Sequence, residues 1–123
     1  MAARWFFRFA VSFALIGLAL GLYMGGNHDF TYAPVHAHIN LVGWVSMFLA
    51  GLFYSVKPKA DNRLALIHLG LAVVGLLLLA PGIYASIAVL PWAAPVVGAG
   101  SVITYIGFIL FAYIVFRNTG KAA

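Results

Sequence analysis

Residues 34–56 read PVHAHINLVGWVSMFLAGLFYSV, and this stretch contains no Lys, Arg, Asp or Glu. A helix of about 20 apolar residues is long enough to cross the hydrocarbon core of a bilayer. The proline at position 34 suits the first turn of a helix, so His36 and His38 should already be helical. The stretch therefore predicts a membrane-spanning helix that carries two imidazole rings near one end.

Three further apolar stretches flank this one in a chain of 123 residues that is 65% hydrophobic and 7% charged. Seven basic and two acidic residues cannot supply the polar surface of a soluble domain of this length. We predict helices over residues 5–24, 34–56, 64–84 and 95–116. The apolar runs lack the alternation of barrel strands, so the sequence predicts one all-α, integral membrane four-helix bundle over residues 1–123.

The basic residues lie at the start of the first helix, between the second and the third, and after the fourth. They are Arg4, Arg8, Lys57, Lys59, Arg63, Arg117 and Lys121. The positive-inside rule then places both termini and the middle loop in the cytoplasm. We expect a multi-pass protein of a bacterial inner membrane. Because topology explains the formal charge of +5, no nucleic-acid partner is predicted.

Several kinds of chemistry are disfavoured by composition. The chain has no cysteine, which excludes disulfides, zinc fingers and iron–sulfur clusters. Asp29 and Asp61 fall in predicted loops, so the buried carboxylate that proton pumps commonly use is missing from the predicted spans. We expect Asp61 to cap the third helix or to pair with Arg63.

A stripe of small residues runs along the first helix, where Gly17, Gly21 and Gly25 recur every four positions. Such stripes let helix backbones approach each other closely. The stripe predicts either packing within the chain or a contact between copies of it.

The histidine pair is the strongest candidate for ligand chemistry. Positions two apart on a helix differ by about 200°, so His36 and His38 should point to opposite sides and cannot chelate one ion. The face of His36 carries Asn40, Gly43, Met47 and Tyr54, and that of His38 carries Val42, Val45 and Leu49. The helix is then expected to offer one ligand to each of two neighbouring sites, near the outer side of the membrane.

The other two histidines are interpreted differently. His68 lies one turn into the third helix, and at about 1.5 Å per residue it should be roughly 15 Å from the level of the pair. We interpret His68 as a hydrogen-bonding residue at a helix contact and His28 as a solvated loop residue. Both, together with Met24, are less favoured as metal ligands than His36 and His38.

The segment HAHINLVGW, residues 36–44, resembles the heme-ligand helices of the catalytic subunit (subunit I) of the heme-copper oxidase superfamily. That subunit has twelve helices in three four-helix arcs, with its ligands mainly on the second helix of each arc. The resemblance implies a homotrimer in which each chain stands for one arc and binds b-type heme. It implies heme ligands and contacts at His36, His38, Asn40, Gly43, Trp44 and Met47.

Two features depart from that family. Its outer arginines, which hold the heme propionates, have no counterpart here, so Asn27, His28, Trp92 and backbone amides would have to replace them. A copper site of three histidines with a tyrosine partner is not recognisable either. Both departures argue against oxygen reduction more than against heme binding.

Three functions of different classes follow. The first is a heme b protein that transfers electrons, with quinol or another redox partner, or binds a diatomic gas. The second is copper handling, for which imidazole and thioether ligands are suited. The third is a structural or assembly subunit without a cofactor. No catalytic residue is assigned, and an oxidoreductase is the class expected if the chain is an enzyme.

Overall fold

A computed structural model describes residues 1–120, and all of their regular structure is helical. The four long helices are α1 (Ala2–Asn27), α2 (Ala33–Val56), α3 (Arg63–Ile87) and α4 (Ala93–Thr119). Each of them is long and apolar enough to cross a membrane. The prediction of an all-α chain with four candidate membrane spans is confirmed. Lys121, one of the predicted topology anchors, lies outside the described residues.

The helices extend beyond the predicted ends by up to about one turn. Helix α1 begins at Ala2 and ends at Asn27, and α4 ends at Thr119. Helix α2 begins at Ala33, so Pro34 occupies its second position rather than its first. Apolar runs locate the hydrocarbon core of a bilayer, whereas hydrogen-bonded helix can continue into the interface, where polar residues are tolerated.

The helices pack as two hairpins, with α1 alongside α2 and α3 alongside α4. Two glycines bring the backbones of α3 and α4 into contact. A Cβ atom on Gly82 would lie 2.6 Å from Cα of Val97, and one on Gly100 would clash with the backbone of Leu79. Close approach of this kind is typical of helix pairs in membranes.

Helix α2 is not α-helical throughout, since Ile39–Val45 form a π-helical segment. The hydroxyl of Ser46 donates to the carbonyl oxygen of Leu41 at 2.7 Å, five residues earlier, which matches the wider π turn. The sequence prediction treated this helix as regular, because no hydrophobic pattern marks a π turn. π-segments inside α-helices occur frequently at functional sites.

Asp61 caps α1 rather than α3. The backbone N–H groups of Ala2 and Ala3 donate to its carboxylate at 2.7 and 3.2 Å. The cap of α3 is Asn62, and the ionic partner of Asp61 is the N-terminal ammonium group rather than Arg63. The prediction for Asp61 was wrong because the loop folds against the start of α1, a contact between distant residues that local spacing does not reveal.

We expect Asp61→Asn to lower the thermal midpoint at neutral pH by the equivalent of roughly 1 kcal/mol, because asparagine keeps one of the two acceptor oxygens and loses the negative charge at the start of α1. Burial acts to raise the pKa of Asp61, but hydrogen bonds from the Met1 ammonium group and the Ala2 amide outweigh it. They hold that pKa below its ordinary value of 3.8. The carboxylate therefore stabilises the fold fully above 3.8, and this contribution is lost as the pH falls through the lowered pKa.

The measurement is thermal unfolding in detergent at several pH values. The difference in midpoint between wild type and Asp61→Asn should shrink as the pH drops below 3.8. Asp29→Asn is the matched control, because Asp29 is exposed and bonds only within its own loop, to Thr31. Equal midpoints for wild type and Asp61→Asn at neutral pH would show that the Asp61 carboxylate does not stabilise the start of α1.

The two ends of the bundle differ in charge. Lys59 of the middle loop and Arg117 of α4 line one cavity, and Asp61 of the same loop holds the start of α1. Both ends of the described chain and the middle loop thus lie at one end of the bundle, with the basic residues. The start of α2, with its histidine pair, lies at the opposite end.

Large apolar side chains cover the outside of the bundle. Leu15 is 72% exposed, and Leu22 and Phe116 are each 80% exposed. Burying such side chains in an apolar medium is favourable, so this surface suits contact with lipid. The four apolar helices indicate a multi-pass membrane protein in a lipid bilayer.

Candidate functional site

His36 lies in a notch of α1 that is formed by two glycines. Its Nδ1 atom is 2.7 Å from the carbonyl oxygen of Gly17. A Cβ atom on Gly21 would lie 2.8 Å from Cε1 of the His36 ring, whereas one on Gly25 would meet nothing within 4 Å. At Gly17 and Gly21, the small-residue stripe therefore serves packing within the chain.

Asn40 fills the same notch one turn further along α2. A Cβ atom on Gly17 would lie 2.7 Å from Nδ2 of Asn40, and this Nδ2 donates to the carbonyl oxygen of His36 at 2.8 Å. It is also 3.2 Å from Nδ1 of His36. Because the Gly17 carbonyl can only accept, that Nδ1 must carry a proton and cannot accept a second one from Asn40. Asn40 thus packs beside the His36 ring without competing for its nitrogen.

The His38 ring is tied to its own helix. Its Nδ1 atom is 2.7 Å from the carbonyl oxygen of Pro34, one turn earlier, and the ring is partly exposed. A carbonyl only accepts, so Nδ1 of His38 also carries a proton. In the neutral form of each ring, Nε2 is therefore the nitrogen with the free lone pair. Within residues 1–120, neither His36 nor His38 has a hydrogen-bond partner at Nε2.

This pattern is the one that metal-ligating histidines show. Such a histidine almost always donates its second ring N–H to a carbonyl, carboxylate or water, which fixes the tautomer and orients the ring. In His36 and His38 the carbonyls of Gly17 and Pro34 fill that role. Both rings are thus arranged to offer Nε2 to a ligand.

The other predicted contact residues lie within the protein packing. A Cβ atom on Gly43 would lie 2.7 Å from Cδ2 of Leu76, and Met47 is 2% exposed. Trp44 is half-buried, with its ring 5.0 Å from that of Phe48 in an edge-on arrangement. In the single chain, Gly43 and Met47 contribute to the core of the bundle.

The other two candidates at the histidine end of the bundle, His28 and Met24, differ in exposure. His28 ends α1 in the left-handed conformation with φ of 49° and is exposed, whereas Met24 is 5% exposed and packs inside. Within residues 1–120, no three His, Cys, Asp or Glu side chains come together as ligands for one ion. A metal ion or cofactor bound by His36 or His38 would therefore need its remaining ligands from other groups.

His68 has the role that was predicted for it, a hydrogen bond at a helix contact. Its Nδ1 lies 2.9 Å from the hydroxyl of Tyr54, and its ring stacks on Phe111 at 4.6 Å. Tyr54 is about four turns beyond His38 along α2, so His68 does not share a site with the histidine pair. Tyr54 was expected to share a face of α2 with His36, but local spacing does not reveal its pairing with His68.

No protein-family model, curated protein or solved structure matches the chain. The resemblance of residues 36–44 to oxidase ligand helices stays a prediction that rests on the motif. What the site can bind depends on the two histidines and on the groups that hold them.

We expect Gly21→Ala to be less stable than Gly25→Ala, because the new methyl group would force the His36 ring out of the notch and away from the Gly17 carbonyl. The difference should be roughly 1 kcal/mol, the net value of one hydrogen bond, since alanine gains a similar helix propensity at both positions. Gly25→Ala, one turn along the same helix, meets open space and is the matched control. Thermal midpoints measure the effect. Equal midpoints for the two variants would show that the His36 ring does not pack against Gly21.

Proposed function

We propose that this chain is a heme b-binding membrane protein related to subunit I of the heme-copper oxidases, with His36 and His38 as axial ligands. The observation that supports this proposal is the hydrogen bonding of the two rings. In both, a backbone carbonyl 2.7 Å from Nδ1 accepts a hydrogen bond from that nitrogen, which leaves the lone pair of Nε2 free. A neutral imidazole that donates its other ring N–H to a hydrogen-bond acceptor is a common heme ligand.

The same geometry supports an oligomer. His36 is held in the notch of α1, while His38 is bonded to its own helix at Pro34. Two rings held apart in this way do not meet at one iron, so a heme with two histidine ligands takes its second histidine from another copy. The resemblance to three four-helix arcs favours a homotrimer.

An apolar groove lies at the end of the bundle that carries the histidines. Its volume is about 450 Å³, and it lies between α1, α2 and α3. Its lining includes Val35 and Ile39, which flank the histidine pair in the sequence, and the rings of Tyr32 and Tyr84, whereas His36 and His38 do not line it. The two Nε2 donors suit heme iron, and the groove supplies apolar surface on the neighbouring face of α2. Asn27, His28 and Trp92 are the polar groups proposed for the heme propionates.

Bound heme iron would carry one electron between its ferric and ferrous states, or bind a diatomic gas where one axial position stays open. The residues supply orientation. The Gly17 and Pro34 carbonyls fix the tautomer of each ring, and an acceptor at Nδ1 raises the basicity of Nε2. Quinol or another redox partner is the proposed electron source.

The proposed orientation follows from charge. The end with the middle loop and the chain ends carries the basic residues, which the positive-inside rule assigns to the cytoplasm. The histidine pair would then face the periplasmic side of a bacterial inner membrane.

The pyridine hemochrome spectrum of protein purified from a heme-replete host tests the cofactor. The proposal expects the spectrum of heme b. Absence of heme would overturn it. Metal analysis of the same sample separates the alternatives. Copper without heme would favour copper handling, and a sample that contains neither heme nor copper would favour a structural subunit.

A further inference from the structure

A small cavity lies between α2, α3 and α4, deeper in the bundle than the histidine pair. Its volume is about 20 Å³, and its lining includes three polar side chains, Ser46, His68 and Thr104. A cavity of roughly 10–15 Å³ or more, measured in this way, can hold one water molecule if polar partners are present. The cavity therefore has the size and the chemistry for one.

The hydroxyl of Thr104 is the unexplained group in this cavity. Its Oγ1 atom is buried, and among residues 1–120 it is the one buried side-chain oxygen or nitrogen without a hydrogen-bond partner. Every other Ser or Thr hydroxyl in the four helices donates to a carbonyl of its own helix: Ser12, Ser46, Ser55, Ser86, Ser101 and Thr119. Thr104 departs from this pattern, which indicates that its hydroxyl has a different partner.

His68 presents a second unpaired group to the same cavity. The hydroxyl of Tyr54 contacts Nδ1 of His68 at 2.9 Å, and Tyr54 is 1% exposed. A buried hydroxyl without an acceptor is unfavourable, so the Tyr54 hydroxyl donates to Nδ1 of His68. The proton of the neutral His68 ring therefore lies on Nε2. Within residues 1–120 that N–H has no protein acceptor.

We propose that one water molecule binds in this cavity and accepts hydrogen bonds from Nε2 of His68 and from the hydroxyl of Thr104. The water completes a network of hydrogen bonds from Tyr54 through His68 to Thr104, which links α2, α3 and α4. Water suits the site because its two lone pairs can accept from both donors, and it can donate to Oγ of Ser46, whose own proton is bonded to the carbonyl oxygen of Leu41. The rest of the lining is apolar and includes Phe6 and Phe111. The site is independent of heme.

The site is tested by NMR on protein in lipid bilayers, through magnetisation transfer from water to the ring N–H of His68. Wild type should show transfer to Nε2–H, and Thr104→Val, which removes only the hydroxyl, should lose it and shift the Nε2 resonance. Thr104→Ser keeps the hydroxyl and should retain the transfer. Ser101→Ala removes a hydroxyl that bonds within α4 and should change nothing at His68.

Thermal unfolding gives an independent readout. With a bridging water, Thr104→Val breaks a satisfied network and should lower the midpoint. With an empty cavity, the same change removes an unsatisfied buried hydroxyl and should raise the midpoint or leave it unchanged. Absence of water transfer to His68 in wild type, or a Thr104→Val protein at least as stable as wild type, would overturn the proposal.

Discussion

Purified His38→Leu protein is expected to contain almost no heme b. Removing groups that merely support a ligand already lowers metal affinity by about 10–100-fold, so loss of a ligand itself should exceed that range. His38 bonds within its own helix, at Pro34, so the substitution leaves the contact between α1 and α2 in place. Heme content per chain, from the pyridine hemochrome spectrum, measures the effect.

His36→Leu should lose heme to the same extent, but it also removes the bond to Gly17 in the notch of α1. Thermal midpoints must therefore accompany its heme measurement. Asp29→Asn is the matched control at the same end of the bundle, because the Asp29 side chain is exposed and bonds to Thr31 of its own loop. Wild-type heme content in folded His38→Leu protein would exclude His38 as a ligand.

Gly100→Ala should cause the largest loss of stability among the substitutions considered. The added methyl group would clash with the backbone of Leu79, so α3 and α4 must move apart along a tightly packed contact. Overpacking of this kind costs roughly 1–3 kcal/mol, and here the obstacle is backbone rather than a flexible side chain. Thermal unfolding in detergent or lipid measures the loss.

Gly98→Ala provides the control on the same helix. A Cβ atom on Gly98 meets nothing within 4 Å, so alanine should improve helix propensity there by up to about 1 kcal/mol. The two substitutions are chemically identical and should act in opposite directions. Similar midpoints for the two variants would show that the contact at Gly100 does not hold α3 against α4.

The number and approximate positions of the helices were predictable from the sequence, because the length of an apolar run and the thickness of a bilayer set them directly. Residues 34–56 contain the decisive pattern. The pattern could not reveal the π-segment Ile39–Val45, which changes the rotation of α2 without changing its composition.

Long-range contacts explain most of what sequence reasoning missed. The small-residue stripe was visible, but only the structure places His36 over Gly21 and Asn40 over Gly17. Asp61 was assigned to the nearest helix start, although it caps one far away in the sequence. Contacts of this kind depend on how helices pack, which local spacing does not determine.

Native mass spectrometry of the protein released from detergent tests whether copies of the chain share heme b, because it reports subunit number and bound cofactor together. We expect a homo-oligomer, a trimer, that carries the mass of heme b and loses it in His38→Leu. A monomer without heme from a heme-replete host would contradict both the shared ligation and the cofactor.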